Sequence, residues 1–210
     1  MSAASPKGKI LLVGAGGHAR SCIDVLEMAG WDVAGLVGQP REAGTKVLGY
    51  AVVGVDADLS SLLGSVSTAL VAIGQIESPA LRITTFESLR SLGFTLPTVI
   101  SPLAHVSTHA RVGKGSIVMH GAIVNAGATV GDNCIVNSQA LVEHDAQVGD
   151  HCHISTGSVL NGGVWVGRGC FIGSRAVLRH DIRVGEHCVI GMGSVVRKDC
   201  ADHTHLPEPD

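Results

Sequence analysis

Branched aliphatic residues recur at every sixth position through the second half of the chain. The series starts at Val106 and runs through sixteen positions without a miss. Its members are Val106, Val112, Val118, Val124, Val130, Val136, Val142, Val148, Ile154, Leu160, Val166, Ile172, Leu178, Val184, Ile190 and Val196. The residue four positions after each of them is nearly always small. This period predicts short strands joined by tight turns, with one aliphatic and one small side chain per repeat turned inward.

The repeat resembles that of the hexapeptide-repeat family, whose members form a left-handed parallel β-helix. In that fold three hexads make one triangular coil, so the resemblance implies about five coils stacked at roughly the 4.8 Å spacing of hydrogen-bonded strands. Residues 98–210 are therefore expected to form an all-β domain of this kind. Glycine often follows the aliphatic position directly, where a short strand is expected to turn sharply. These glycines are Gly113, Gly131, Gly149, Gly167, Gly173, Gly185 and Gly191.

Four of the six cysteines fall in one column of the repeat. Cys134, Cys152, Cys170 and Cys188 are each 18 residues apart, so they occupy the same small-residue corner of successive coils. Neighbours one strand spacing apart lie within disulfide reach by Cα distance, so bonding stays open. The favoured interpretation is a buried thiol acting as a small apolar filler. A straight column does not supply the tetrahedral geometry of a structural zinc site.

The first half of the chain alternates apolar runs with helical patterns. KILLVG predicts a buried strand, GAGGHARSCIDVLEMAG a turn and a helix, and WDVAGLVG a second strand. VSTALVAIG predicts a further strand, followed by a helix through SPALRITTFESLRSLG. This alternation favours a parallel sheet with crossover helices, and therefore a small α/β, Rossmann-like domain at residues 1–97. TLPTVISP is predicted to be the linker.

Composition and charge limit the partners of the chain. Aromatic residues make up 3% of the sequence and glycine reaches 28 residues, so the core must consist of small and aliphatic side chains. The net charge is -3 with scattered Lys and Arg, so neither nucleic acid nor membrane insertion is expected. No run approaches the roughly 18 apolar residues of a membrane span. MSAASPKGKI also lacks an apolar signal core, so a cytoplasmic location is expected.

A glycine-rich turn joins the first predicted strand to the first helix. The sequence Gly-Ala-Gly-Gly-His-Ala at residues 14–19 would present backbone N–H groups and a helix N-terminus to an anion such as a phosphate. It also satisfies the dinucleotide fingerprint formally. NAD is nevertheless a minor alternative, because the second strand ends in Leu-Val-Gly-Gln at residues 36–39, with no acidic residue for a ribose.

The order of these motifs is similar to that of the sialic acid O-acetyltransferase and nucleotide-sugar N-acetyltransferase family. The Gly-x-Gly-Gly-His turn of a short Rossmann-like domain, fused to a hexapeptide helix with Val-Glu-His-Asp at residues 142–145, carries the resemblance. Family members acetylate UDP-linked 4-amino sugars and GDP-perosamine. The resemblance implies a homotrimer that uses acetyl-CoA, with the nucleotide sugar in the first domain and CoA between β-helix faces of neighbouring subunits.

The resemblance also implies roles for individual residues. It implies that His144 is the general base and that Asp145, where Glu is usual, raises its basicity. The residues that it places at the nucleotide-sugar substrate are Gly16, Gly17, His18, Gly74 and Asn137. Those that it places at acetyl-CoA are His153 beside the thioester, Gly162 as a backbone donor near the acetyl group, and Ser174 along CoA.

Two departures from the family pattern concern ligand recognition. Many relatives have paired acidic residues after the second strand, where this chain has Val37 and Gly38. Recognition of the nucleobase and ribose is therefore left unassigned. The Gly-Val-Pro-Ala tail that closes over CoA is replaced here by CADHTHLPEPD, so the adenine end of CoA is expected to be held differently.

The register of the repeat directs His144 and His153 away from the inner core, half a coil apart. They cannot share one face of one subunit, so we hypothesise that His144 of one subunit works beside His153 of the next. A metal site is the alternative, because γ-class carbonic anhydrases place three zinc histidines across two such subunits. His144 and His180 share a column, but the position five residues after His180 is Gly185, so no metal is expected.

These features predict an acetyl-CoA-dependent N-acetyltransferase for a nucleotide-linked amino sugar, expected to be a 4-amino-deoxy sugar, in surface glycan biosynthesis. The alternative within the class is an O-acetyltransferase acting on sialic acid or another sugar. A non-catalytic trimeric scaffold is the alternative from another class, and it predicts that His144→Ala leaves function intact.

Overall fold

The first domain is an α/β unit, in a computed structural model that describes residues 7–208. Its strands are β1 (Lys9–Val13), β2 (Asp32–Val37), β3 (Lys46–Val47), β4 (Tyr50–Gly54) and β5 (Ala69–Val71), and its helices are α1 (Gly17–Met28), α2 (Leu59–Leu62) and α3 (Ala80–Leu92). The sheet order is β3-β4-β2-β1-β5, with all pairs parallel except β3–β4. The predicted Rossmann-like class is confirmed. None of the helices in the described range is long and apolar enough to cross a membrane.

β3 and β4 are additional to the strands predicted from the sequence. They form a short antiparallel hairpin whose turn residues, Leu48 and Gly49, both have positive φ. β3 has only two residues, and Val52 is the one buried side chain of β4, so neither strand carries a clear apolar run. The hairpin extends the sheet beyond β2 and brings the loop after β4 to the carboxyl edge of the sheet.

Up to residue 208, the end of the described range, the second domain has eighteen strands of two residues each. They are β6 (Val99–Ile100), β7 (His105–Val106), β8 (Arg111–Val112), β9 (Ile117–Val118), β10 (Ile123–Val124), β11 (Thr129–Val130), β12 (Ile135–Val136), β13 (Leu141–Val142), β14 (Gln147–Val148), β15 (His153–Ile154), β16 (Val159–Leu160), β17 (Trp165–Val166), β18 (Phe171–Ile172), β19 (Val177–Leu178), β20 (Arg183–Val184), β21 (Val189–Ile190), β22 (Val195–Val196) and β23 (His205–Leu206). They stack into three parallel ladders, which confirms the predicted left-handed β-helix.

Each ladder is one face of a triangular prism. Face I has the order β22-β19-β16-β13-β10-β7, face II β20-β17-β14-β11-β8, and face III β23-β21-β18-β15-β12-β9-β6. Residues 18 apart are hydrogen-bonded neighbours, as in the pairing of Val124 with Val142. The second residue of each strand points into the prism, where the buried aliphatic side chains form one continuous core.

The coils extend beyond the uninterrupted repeat at both ends. β6 lies within TLPTVISP, so the prediction that this segment is only a linker is wrong, and Ile100 supplies an earlier aliphatic step. At the other end Val189 pairs with His205, only 16 residues later. The last coil is therefore two residues shorter than the others. Leu206 falls outside the six-residue register, so the repeat does not predict that it pairs with Ile190.

The cysteine column lies inside the prism. Cys134, Cys152, Cys170 and Cys188 are all buried free thiols, in agreement with their interpretation as fillers. The Sγ atoms also accept hydrogen bonds along the column, as from the Cys152 N–H to Cys134 Sγ at 3.4 Å. Burial raises the pKa of the Cys152 thiol well above its usual value, which keeps this thiol protonated.

Glycine is required after the aliphatic positions for a reason other than the predicted sharp turn. A Cβ at Gly149 would lie 2.8 Å from the Arg168 backbone nitrogen, and one at Gly167 would lie 2.8 Å from the Glu186 nitrogen, both in the next coil. Close approach between coils therefore excludes a side chain there. The left-handed residues occur two places later, at positions such as Gly169 and His151.

The first domain packs against face III and fixes its position on the prism. Helix α1 buries Ala19, Cys22, Ile23 and Leu26, the i, i+3, i+4, i+7 pattern of an amphipathic helix. These side chains form one core with outward residues of face III, including Ile117 and Ile135, which are fully buried. The two domains therefore share apolar surface, and the carboxyl ends of β1 and β5 lie beside the β-helix.

Candidate active site

His144 lies at the corner between faces I and II, directly after β13. Its Nδ1 is 3.0 Å from Oδ2 of Asp145, and both side chains are largely exposed. Asp145 has φ 60, in the left-handed region that the repeat requires at this place and that Asp tolerates better than most residues. The hydrogen bond to Asp145 raises the pKa of His144 above its usual value. The pair therefore combines a basic imidazole with an orienting carboxylate and leaves Nε2 free.

Gly162 lies one coil further along, under the ring of His144. A Cβ at this position would be 2.5 Å from Nε2 of His144, so any side chain would displace the ring. The Gly162 N–H has no hydrogen-bond acceptor within the described part of the chain. It is therefore free to donate to a ligand next to the imidazole. The pocket of about 580 Å³ at this corner is lined by Glu143, His144, Asn161, Gly162, His180 and Asp181.

Glu143 supports this corner from within the chain. Its Oε2 accepts hydrogen bonds from Asn125 Nδ2 at 2.9 Å and from the His144 N–H at 3.1 Å. The carboxylate also contributes to the raised pKa of His144. Glu143 thereby holds the backbone of His144 in place. The six-residue repeat alone does not predict this role.

A second cleft, of about 760 Å³, lies in the first domain at the glycine turn. It sits between β1 and β5, where the chain connections diverge, which is the usual ligand position in open parallel sheets. Gly16 and Gly17 are exposed at the start of α1, and no side chain caps the helix N-terminus, so its N–H groups face an incoming anion. Gly74 and His18 line the same cleft.

Acidic side chains also reach this cleft, from places that the turn motif does not indicate. Glu42 ends a short 3₁₀ helix at Pro40–Glu42, and Asp56 follows β4. Oε2 of Glu42 accepts the Gln39 N–H at 2.8 Å and would lie 2.9 Å from a Cβ at Gly38. The residues directly after β2 include no carboxylate, but the cleft receives one from the 3₁₀ helix that follows and one from the segment after the unpredicted strand β4.

His153 lies on β15 of face III and connects the two domains. It points away from the inner core as predicted, but the first domain covers it and leaves it 7% exposed. Its Nδ1 is 2.6 Å from the Gln75 carbonyl oxygen, which only accepts, so Nδ1 carries the proton. Nε2 then accepts a hydrogen bond from Asn137 Nδ2 at 3.0 Å. The ring of His18 lies 6.4 Å away, between centroids.

Burial keeps both of these histidines neutral. It lowers the pKa of His153 to about 4, and the nearby charge of Arg82 adds to the effect, although the hydrogen bond to Gln75 opposes it. Burial, Arg82 and His153 together lower the pKa of His18 to about 3. Nε2 of His18 is buried with no partner in the described residues. Neutral rings at this junction are suited to hydrogen bonding and positioning, not to carrying a proton.

The predicted site residues therefore form two separate groups in one chain. His144, Asp145 and Gly162 occupy the corner between faces I and II. The cleft in the first domain is lined by Gly16, Gly17, His18 and Gly74, and His153 and Asn137 lie next to it. Ser174 lies at the corner between faces III and I, and its Oγ is 3.0 Å from Ser155 Oγ. The two groups flank face I, and the chain alone does not bring His144 and His153 together. Across residues 7–208, no cluster of three His, Cys, Asp or Glu side chains is arranged to hold a metal.

Both domains match known families. A model described as the PglD N-terminal domain matches residues 9–89. A model of the bacterial transferase hexapeptide, described as six repeats, matches residues 127–162 and 163–198. A search of curated proteins gives no match.

Solved structures match along nearly the whole chain. A mutant of perosamine N-acetyltransferase from Caulobacter crescentus, in complex with CoA and GDP-perosamine, is 35% identical over 96% of this chain and 94% of that chain, with a TM-score of 0.90. The acetyltransferase domain of PglB from Neisseria gonorrhoeae, in complex with acetyl coenzyme A, is 32% identical over 95% and 96%, with a TM-score of 0.85. WeeI from Acinetobacter baumannii, at 20% identity, shares the fold.

The chain belongs to the nucleotide-sugar N-acetyltransferase family. Members of this family transfer the acetyl group of acetyl-CoA, so the predicted enzyme class and cosubstrate are confirmed at the level of the family. A dinucleotide-dependent enzyme and a non-catalytic scaffold are no longer competing interpretations.

Gly162→Ala should lower the activity of this N-acetyltransferase without unfolding it. The new methyl group would contact Nε2 of His144 and turn the ring away from its present orientation. We expect kcat to fall at least roughly tenfold, as for a misplaced general base. Gly64→Ala is the control, because its Cβ would meet its nearest atom at 3.7 Å, an ordinary contact. Equal activity of the two variants would contradict the role of Gly162.

Acid should destabilise the fold through His18 and His153. Their pKa values in the folded protein, about 3 and about 4, lie below the ordinary value of about 6.5, so the unfolded chain binds protons first as pH falls. The stability due to the neutral rings is complete above about pH 6.5 and declines from there towards about pH 4. At pH 5 the loss should be roughly 2 kcal/mol for each ring, measured by urea unfolding.

His153→Gln is the matched variant for this measurement, because glutamine keeps polar atoms but does not titrate. Its free energy of unfolding should change less steeply with pH than that of the original chain between about pH 6.5 and 4. Identical slopes would show that His153 is not held neutral by the fold.

Proposed function

We propose that the chain transfers the acetyl group of acetyl-CoA to the amino group of a nucleotide-linked 4-amino-deoxy sugar, in surface glycan biosynthesis, with His144 as the general base. The observation that carries the proposal is the His144–Asp145 pair, which stands over Gly162 at the mouth of a pocket. GDP-perosamine is the first sugar to test, because the perosamine N-acetyltransferase that is 35% identical to this chain was solved with it.

The reaction needs a base, a donor for the oxyanion and an exit for the thiol. The neutral amine attacks the thioester carbonyl while Nε2 of His144 takes one of its protons. The Gly162 N–H is placed to stabilise the negative oxygen of the tetrahedral intermediate. The C–S bond then breaks, and the thiolate of CoA takes the proton from the imidazolium. Asp145 orients the ring and stabilises its charged form throughout.

The cleft at the glycine turn is the proposed site of the nucleotide. The uncapped start of α1 suits a diphosphate, and Glu42 and Asp56 supply carboxylates for hydroxyl or base N–H groups. A free sialic acid, the acceptor in the alternative O-acetyl transfer, has no phosphate to use this site. Calorimetry with GDP, UDP and dTDP, followed by measurement of CoA release with the corresponding amino sugars, tests the assignment. Turnover of free sialic acid alone would favour the alternative.

Face I is the proposed contact between subunits of a homotrimer. The first domain covers face III, and face II presents polar or charged residues such as Gln147 and Arg183. The outward ladder of face I is instead mostly apolar, and no element among residues 7–208 covers it: His105, Ile123, Leu141, Val159, Val177 and Val195. Val195 is 59% exposed, which is costly for a large aliphatic side chain in isolation. A second and a third copy would bury this ladder.

A contact on face I would also complete the active site. The two groups of site residues flank this face, so a three-fold arrangement lets the edge of one chain meet the opposite edge of the next. Asn137 and the cleft of one subunit would then approach His144 and Gly162 of its neighbour. The resemblance places His153 beside the thioester, but both of its ring nitrogens are already hydrogen-bonded within the chain. In this proposal His153 instead positions Asn137, on the substrate side of the shared site.

The pH dependence of activity tests the base. His144 acts when neutral, so kcat/KM should rise with pH through a pKa above the ordinary value of about 6.5. Asp145→Asn removes the cause of the raised pKa, so the rise should move to lower pH while the maximal rate falls. A profile that is flat between about pH 5.5 and 8 would exclude His144 as the base.

Mixed trimers test the shared site. Chains with His144→Ala and chains with Asn137→Ala should each be nearly inactive as pure trimers. Random mixing should restore about a quarter of the sites, because one intact half can come from each kind of chain. Activity no higher than that of the parents would exclude a shared site. In a Val159→Lys background trimers should not form and mixing should restore nothing, whereas Gln147→Lys, on face II, should leave assembly intact.

A further inference from the structure

The histidine–aspartate pair of the active-site corner occurs twice in the chain. His144 and Asp145 are followed 36 residues later by His180 and Asp181, so the second pair stands two coils further along the same corner. Asp145 and Asp181 both have φ 60, so the backbone takes the same left-handed conformation after each histidine. The function proposed above gives the second pair no role.

The two pairs differ in how the imidazole is held. Nδ1 of His144 is 3.0 Å from Oδ2 of Asp145. Within residues 7–208, His180 forms no ion pair with Asp181, and neither of its ring nitrogens has a hydrogen-bond partner. The ring of His180 is exposed and lines the same pocket as His144. The second imidazole is therefore available to a ligand in the pocket, whereas the first is oriented as a base.

Gly162 lies in the coil between the two histidines and leaves the space between them open. It has no side chain, and its N–H has no acceptor in the described part of the chain. Asn161, which also lines the pocket, is turned back to the prism, and its Nδ2 donates to the Leu178 carbonyl at 2.6 Å. A base, a donor for the oxyanion and a second imidazole thus stand on three successive coils.

The separation of the two histidines fits the reacting atoms of acyl transfer. Equivalent atoms two coils apart are roughly 9.6 Å from each other, at the spacing of hydrogen-bonded strands. In the tetrahedral intermediate the amine nitrogen and the sulfur are both bonded to the acetyl carbon, roughly 3 Å apart. A hydrogen bond of about 3 Å at each end extends this row to about 9 Å. His144 can therefore reach the amine while His180 reaches the sulfur, with the oxyanion at Gly162 between them.

We propose that His180 donates a hydrogen bond to the thioester sulfur and stabilises the thiolate as it leaves. The inference rests on the proposed function, because it assumes that the acetyl carbon lies between His144 and Gly162. When the intermediate collapses, the C=O bond re-forms, the C–S bond breaks and its electron pair passes to the sulfur, which accepts the ring N–H of His180. The sulfur then takes the proton that His144 removed from the amine, so that an amide and the thiol of CoA are released. His180 keeps its own proton throughout.

Acetyl donors whose thiols differ in acidity test this role. His180→Ala should lower kcat for acetyl-CoA about tenfold, because the developing thiolate loses one hydrogen bond. S-acetylpantetheine has the same thiol without the phosphates and should show the same loss. S-acetyl-4-nitrothiophenol should lose less than about twofold, because its thiolate is a weak base that leaves without a hydrogen bond. His180→Gln keeps a side-chain N–H, so its kcat for acetyl-CoA should stay within about threefold of that of the original chain.

His109→Ala is the matched control, because His109 is an exposed histidine of the same corner that does not line the pocket. It should leave kcat unchanged with every acetyl donor. The inference is overturned if His180→Ala lowers kcat equally with all three donors or with none, or if His180→Gln is no more active than His180→Ala. If the original chain transfers no acetyl group from acetyl-CoA to any nucleotide amino sugar, the proposed function itself fails. An active original chain with a loss that does not depend on the thiol refutes the role of His180 alone.

Discussion

The 18-residue register of the coils determines where every functional group of the β-helix lies. Parallel pairing places residues 18 apart at one strand spacing, and the inward aliphatic ladder prevents slippage, because a shift by one residue would turn each core side chain outward. Val142 and Leu160, paired in this ladder, bring Gly162 under the ring of His144. The geometry of the His144–Gly162 corner is therefore a consequence of the core. The strand pairing of the core sets the positions of the residues at this corner.

The junction between the domains depends on a buried cation. Arg82 of α3 is 1% exposed, and its partners are oxygens of Val71, Ile73 and Asn133, with no carboxylate among them. Burial lowers its pKa to about 10, so it stays charged at neutral pH. Through these hydrogen bonds Arg82 connects the segment at the end of β5 to the β-helix. Ile73, one of its acceptors, lies two residues before Gln75, whose carbonyl accepts the hydrogen bond of His153. The charge of Arg82 also disfavours protonation of that ring.

Periodicity was sufficient to predict the parts of the fold that repeat, and the resemblance to the family was sufficient to indicate the pairing of His144 with Asp145. The residues that escaped prediction depend on contacts between distant segments. Gln75 and Asn133 meet their partners only when the two domains pack together. Glu42 reaches the cleft from the 3₁₀ helix after β2, and Asp56 from the loop after a hairpin whose two-residue strand carries no periodic signal. His153 was correctly directed away from the core, but its cover comes from another domain.

The separation of the two half-sites follows from the shape of the prism. Each face is only two residues wide, so no single face can hold a base, an oxyanion donor and a sugar site side by side. The site residues instead occupy two corners of the prism. In one chain these corners lie on opposite edges of face I and face in different directions. In the proposed trimer, the apolar ladder on face I would make the contact between chains and the assembly of the site one event. On this proposal, a chain that folds without partners would retain both groups of site residues and still lack the reaction.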